Sequence, residues 1–270
     1  MLRPRIIGAL VVAILVEVNI AVPAIQKDVV FHNDAVVTSN ESYRSVAVYD
    51  SPPETTTIDF YGWAMCLTMY DSSTLNLYNG SEIEGCTYHK LHNSSTVNVF
   101  EGARIGGGSG SLLDMYDSST LNIYGGTVGL FLMTHDSSTI NLFDGLLGID
   151  YIGDSSTVNI YAGQVEDWIE NIGVAPTATV NIYGYGFEYT PYGEWMEPIG
   201  GIGQGWWITK LTGYGFDGKS ITCLGLPDPA THENINLIPE PTTFLLLGLS
   251  GLALLRIRGK PGRTEANLIL

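Results

Sequence analysis

Asparagine recurs along the chain two positions before an aromatic residue: Asn76 with Tyr78, Asn98 with Phe100, Asn122 with Tyr124, Asn141 with Phe143, Asn159 with Tyr161 and Asn181 with Tyr183. Amides reach hydroxyls and rings stack on apolar sugar faces, so these residues make a candidate sugar-binding strip. The competing reading, preferred here, is that they hold a stack together. Acid–base chemistry has less behind it. A polysaccharide lyase needs a Lys or Arg base beside a uronate and acids to hold calcium. Between Val46 and Thr209 the only Lys or Arg residues are Lys90 and Arg104, in spacers of different repeats. A hydrolase needs two carboxylates about 5 to 9.5 Å apart, and no asymmetric acidic cluster stands out. His89 and His92, in HKLHN, have no third ligand in register and read as surface-loop residues rather than a metal site. No catalytic, cofactor-binding or metal-binding residue is assigned, and the expectation is a protein that is not an enzyme.

The strip belongs to a repeat. DSSTLNLYNG begins at Asp71, and NSSTVNVFEG, DSSTLNIYGG, DSSTINLFDG and DSSTVNIYAG follow from Asn93, Asp117, Asp136 and Asp154, with a looser copy from Ala175. Within a copy Leu75 and Leu77 alternate with Thr74, Asn76 and Tyr78, the period of a strand buried on one face. Asp and Ser before it form turns, and glycine after it bends the chain. Asp71, Asp117, Asp136 and Asp154 therefore read as turn caps, since the calcium-binding nonapeptide of other repeats is absent. The asparagine slot, which Asp59 fills earlier, returns every 20 residues or so, a period of stacked architectures.

So short a unit has no room for a helix with its loops, and the spacers are themselves strand-like. The expected fold is all-β: a parallel β-helix of about seven coils over residues 57–187, a rod of roughly 34 Å at one strand spacing per coil. Residues 25–56 cap the first coil, with SVAVYDS from Ser45 as one more degenerate strand, and residues 188–238 form a C-terminal cap of short strands that covers the last edge. GGGSGS, from Gly106, lacks the GK[ST] of a phosphate-binding loop and reads as a loop extruded from one coil. Cys66 and Cys86 lie about one repeat apart, so they could be stacked neighbours, and whether they pair is left open; with Cys223 the count is odd, so disulfides are not the main source of stability.

The charge is strongly acidic, 12 Lys+Arg against 28 Asp+Glu, which disfavours nucleic acid because phosphates need cations to displace their counterions. At the N-terminus Arg3 and Arg5 precede an apolar run from Ile6 to Val16, then Val22-Pro23-Ala24. This pattern predicts a signal peptide over residues 1–24, cut by signal peptidase after Ala24. Near the C-terminus Pro239-Glu240-Pro241 precedes TTFLLLGLSGLALL and the basic residues Arg256, Arg258, Lys260 and Arg263. That apolar stretch makes about 21 Å of helix against about 30 Å of hydrocarbon, a transient anchor rather than a permanent span.

These C-terminal residues resemble the PEP-CTERM sorting signal of bacterial surface and exopolysaccharide-associated proteins, here over residues 239–263 with 264–270 as a tail. The sequence runs on as GKPGRTEANLIL, where such proteins usually stop soon after the basic residues. The resemblance implies processing by an exosortase-type membrane protease. The run from VNIYGYGF to NINLIPEP also looks like the terminal module of other repeat-bearing proteins of this kind. Together these readings give a secreted or surface-associated structural or adhesive protein of a bacterial extracellular matrix, extracytoplasmic after transient membrane anchoring. The alternative is a protein that binds or degrades polysaccharide on the same scaffold.

Overall fold

Each repeat opens on a residue held in the left-handed region: Asp71, Asn93, Asp117, Asp136 and Asp154 have φ between 48° and 59°. Asp and Asn tolerate this conformation better than other side chains because their short polar groups bond the local backbone. The bend closes two residues later, where the Ser95 N–H donates to the His92 carbonyl at 3.2 Å and Ser119, Ser138 and Ser156 repeat the bond one, two and three coils on. A strand follows each bend, at Thr74–Leu77, Thr96–Phe100, Thr120–Val128, Thr139–Gly148, Thr157–Ile160 and Thr179–Met196. In the computed structural model, which describes residues 27–239 apart from 86, 107–110, 130, 167–171 and 197–205, these strands pair in parallel with equivalent positions opposite one another. Asn76 lies between Asp59 and Asn98, and Asn141 between Asn122 and Asn159.

Two further faces complete each coil. One is built from Glu82–Ile83, Arg104–Ile105, the ends of Thr120–Val128 and Thr139–Gly148, and Gly163–Glu166. The other stacks Lys27–Phe31, Ser42–Val48, the end of Trp63–Met69, Tyr88–Leu91, Leu112–Met115, Phe131–Thr134, Tyr151–Ile152 and Gly173–Val174. The described residues are all-β, stacked as a β-solenoid of about seven turns. The inward leucines, valines and isoleucines of the repeat, from Leu75 and Leu77 to Val180 and Ile182, are at most 1% exposed. Each contributes about 1.5–3 kcal/mol by leaving water. Where a long strand turns the corner, Gly145 at φ 97° brings its Cα so near the Gly126 carbonyl that a Cβ would sit 2.2 Å from that oxygen. Only glycine fits there.

The two ends differ from the simple caps expected of them. Ser42–Val48 includes the predicted degenerate strand, and Ala35–Val37 pairs in parallel with Thr57–Phe60, so the described part of residues 25–56 is a first coil in register with the next. The expected C-terminal cap is partly a continuation of the stack. Thr179–Met196 runs on for 18 residues, antiparallel to Trp206–Tyr214, which is antiparallel to Ser220–Leu224. Ser220–Leu224 then lies parallel on Gly163–Glu166, and Ile235–Pro239 parallel on the start of Thr179–Met196. The GGGSGS segment falls largely outside the described residues, but Arg104–Ile105 and Leu112–Met115 on either side of it keep register with their neighbours. Residues 1–26 and 240–270 also lie outside them, and with them Ala24, Glu240, Pro241, the predicted apolar helix, and Arg256, Arg258, Lys260 and Arg263. Among the described residues no helix is long and apolar enough to cross a membrane.

Candidate functional site

The outward Asn and aromatic positions come together as two parallel ladders on one face. Asn76 Nδ2 donates to Asp59 Oδ1 at 2.8 Å, and the pattern repeats from Asn98 to Asn76, Asn122 to Asn98, Asn141 to Asn122, Asn159 to Asn141 and Asn181 to Asn159, at 2.8 to 3.0 Å. Each interior amide thus uses one N–H and one oxygen lone pair on its neighbours. Beside them Tyr61, Tyr78, Phe100, Tyr124, Phe143, Tyr161 and Tyr183 stack with centroids 4.6 to 5.3 Å apart and planes within 14° of parallel. Coil spacing exceeds the roughly 3.5–4.0 Å of carbon–carbon contact, so the rings close the gap by leaning into an offset stack.

This geometry revises what the strip can offer a sugar. All twelve strip residues are brought together as expected, but the faces of the interior rings are covered by one another, leaving ring edges toward solvent. The amides are similarly engaged along the axis, each with one N–H left over.

A second ring ladder, unrecognised in the sequence, occupies the position just before each turn. His32, Tyr49, Tyr70, His92, Tyr116 and His135 stack with centroids 4.4 to 5.4 Å apart. The signal was present: an aromatic residue or histidine precedes the turn Asp or Asn in YD, HN, YD and HD. His92 is therefore a stacking residue, held between Tyr70 and Tyr116. His89 is corrected more sharply, because it is fully buried rather than in a surface loop. Its neighbours Tyr88–Leu91 form a strand with alternate side chains inward, and Nδ1 accepts the Leu67 N–H at 3.2 Å. That amide falls where Trp63–Met69 passes from one partner strand to another, so no ladder carbonyl meets it. Burial pulls the His89 pKa down to about 4. Nδ1 accepts, so the proton is on Nε2, which has no hydrogen-bond partner among the described residues.

The turn aspartates bond from coil to coil. Asn93 N–H donates to Asp117 Oδ2 at 2.8 Å, Asp117 N–H to Asp136 Oδ2 at 3.0 Å, and Asp136 N–H to Asp154 Oδ2 at 3.1 Å. Lys90 and Arg104 fall on different faces, Lys90 opposite Asp114 and Arg104 opposite Thr127, so they do not converge. Among the described residues no group of three or more His, Cys, Asp or Glu side chains is placed to hold a metal ion. Cys66 is disulfide-bonded and Cys86 lies outside the described residues. Cys223 is a free thiol that burial pushes up to about 12.

One cleft is built against the ladders. The hairpin turn between Trp206–Tyr214 and Ser220–Leu224 lies against the last coils, where Gly215 approaches the Tyr161 carbonyl so closely that a Cβ would lie 2.1 Å from it. Its Lys219 Nζ donates to Asp144 Oδ2 at 2.6 Å and stands 3.8 Å from Asp217 Oδ2. The hydrogen bond to Lys219 holds the Asp144 carboxyl below its ordinary value. Between hairpin and ladder is a cleft of about 370 Å3, with Tyr124, Phe143, Tyr161 and Tyr183 as its floor and Phe216 and Lys219 in its wall. The sequence hid this site because Asp144 and Lys219 are 75 residues apart.

Compared with protein-family models, with curated proteins and with solved structures, the chain matches none.

Proposed function

We propose that this protein is an extracytoplasmic structural or adhesive β-solenoid of a bacterial surface or matrix, not an enzyme. In this reading signal peptidase cuts after Ala24, the C-terminal apolar segment anchors the chain transiently, and an exosortase-type protease acts at Pro239-Glu240-Pro241. The observation that carries it is the use of the repeated side chains: amides, rings and turn carboxylates bond chiefly from coil to coil, which is the chemistry of a scaffold. The bases that a lyase would need are divided between faces. Among the described residues the final strand, Ile235–Pro239, reaches the first residue of the Pro239-Glu240-Pro241 triplet. The acidic balance suits a soluble body repelled by anionic lipid.

Mass spectrometry of the protein from its native host tests both sorting events together. The expected mature chain begins at Ile25 and ends close to Pro241. A chain that retains both terminal segments contradicts the reading.

A further inference from the structure

The cleft under the C-terminal hairpin differs from the rest of the ladder face in one respect that bears on binding. Along the ladder the ring faces are covered by neighbours, but Phe216 is 43% exposed and no ring stacks on it among the described residues. It lines the cleft together with Tyr124, Phe143, Tyr161 and Tyr183, so an exposed aromatic ring and the phenol groups of three tyrosines border one space. Lys219 adds an ammonium with three donors, of which Asp144 takes one. Asp144 and Asp217 add carboxylate oxygens able to accept hydroxyl protons. The volume falls within the roughly 300–1,000 Å3 of small-ligand sites.

We infer that this cleft binds a neutral hexopyranose segment of an oligosaccharide or polysaccharide, with the apolar face of one sugar ring against Phe216 and its hydroxyls on Asp144, Asp217 and Lys219. The charge on the page selects this occupant. An anionic glycan meets a chain with 28 acidic and 12 basic residues, and one lysine already paired with a carboxylate does not offset that field. A cationic ligand would have to displace Lys219 from Asp144. A neutral polyol needs what is there, alternating donors and acceptors beside an apolar face. The site rests on the extracytoplasmic reading only for its natural access to glycans, and binding in vitro is independent of where the chain is sorted.

The test is isothermal titration calorimetry, with ligand-observed saturation-transfer NMR, on the full-length chain in a non-glycosidic detergent. The probes are neutral hexasaccharides of glucose, mannose and galactose, with hexagalacturonate as the anionic comparator. At least one neutral hexasaccharide is expected to bind and hexagalacturonate to bind at least about tenfold more weakly. Phe216→Ala and Lys219→Met are each expected to weaken binding about tenfold or more, and Tyr88→Ala, on another face, to leave it unchanged. Phe216→Leu keeps the bulk without the π face, so it is expected to lose affinity with an unaltered unfolding midpoint even if Phe216→Ala fails to fold. The inference is overturned if no neutral hexasaccharide binds, if the folded Phe216 and Lys219 variants bind like the native chain, or if hexagalacturonate binds as tightly as the neutral ligands. Failure of the sorting reading appears instead in the mature termini.

Discussion

His89 is held neutral inside the solenoid, with Nδ1 committed to the Leu67 N–H, and that has a consequence for pH. Its ordinary pKa near 6.5 is lowered to about 4 in the fold, so between those values the unfolded chain binds a proton that the folded chain does not. Stability from this residue is fully present above about pH 6.5 and is lost as pH falls toward 4, by about 3 kcal/mol in all. His89→Asn keeps an acceptor near the Nδ1 position without titrating in this range. Urea unfolding from pH 7 to 4 is expected to show a steeper loss for the native chain than for His89→Asn, by that amount; equal slopes would mean that His89 is not neutral and buried. The sequence pointed the wrong way here because HKLHN sits in polar text. The inward-outward alternation of YHKL, with Leu91 and His89 on one side, was the better guide. His92, three residues on, belongs to a ring ladder that mixes Tyr and His, and aromatic character at that slot is easily missed when residue identity changes.

At the scale of the turn and strand, most of the architecture was legible. Period-two alternation after DSST gave the strands and their buried face, and the restated asparagine gave the register. What the text did not reveal was the reason for Asp at the head of each copy. The slot requires a left-handed backbone and a side-chain oxygen to receive an N–H from the preceding coil, and Asn93 shows that charge is not required. Asp136→Asn is therefore expected to change unfolding free energy by less than about 0.5 kcal/mol, whereas Asp136→Ala, which loses both the tolerated conformation and the acceptor for Asp117 N–H, is expected to cost about 1–3 kcal/mol. Chemical denaturation of both variants checks the difference, and a harmless alanine would remove the turn from the account. The hairpin that closes the cleft was not legible, because its contact with Asp144 depends on where the long excursion after Tyr183 returns.

Across the whole molecule the amide ladder has a direction. Every Nδ2 donates toward the N-terminal end, and the series begins at Asp59, opposite Val36, and ends at Asn236, which donates to Asn181 at 3.0 Å. A carboxylate accepts but does not donate, so it fits only in the first slot, where nothing below requires a donor. Asp59 was visible in the sequence as a variant of the slot, but its position at the ladder's end explains the variation. Asn236 was hidden in the expected cap, since 55 residues separate it from Asn181 while the other intervals are 17 to 24. The proposed sorting segments rest on composition and motif order.

The repeated side chains join each coil to the next, and comparing equilibrium unfolding of Asn122→Asp with that of Asp59→Asn at neutral pH tests this most directly. Asn122→Asp leaves Asn98 Oδ1 facing a carboxylate in place of a donor and is expected to cost about 1–3 kcal/mol. Asp59→Asn preserves the acceptor for Asn76 and is expected to change stability by less than about 0.5 kcal/mol. Equal effects at the two slots, or no cost at Asn122, would contradict a ladder that holds the coils together.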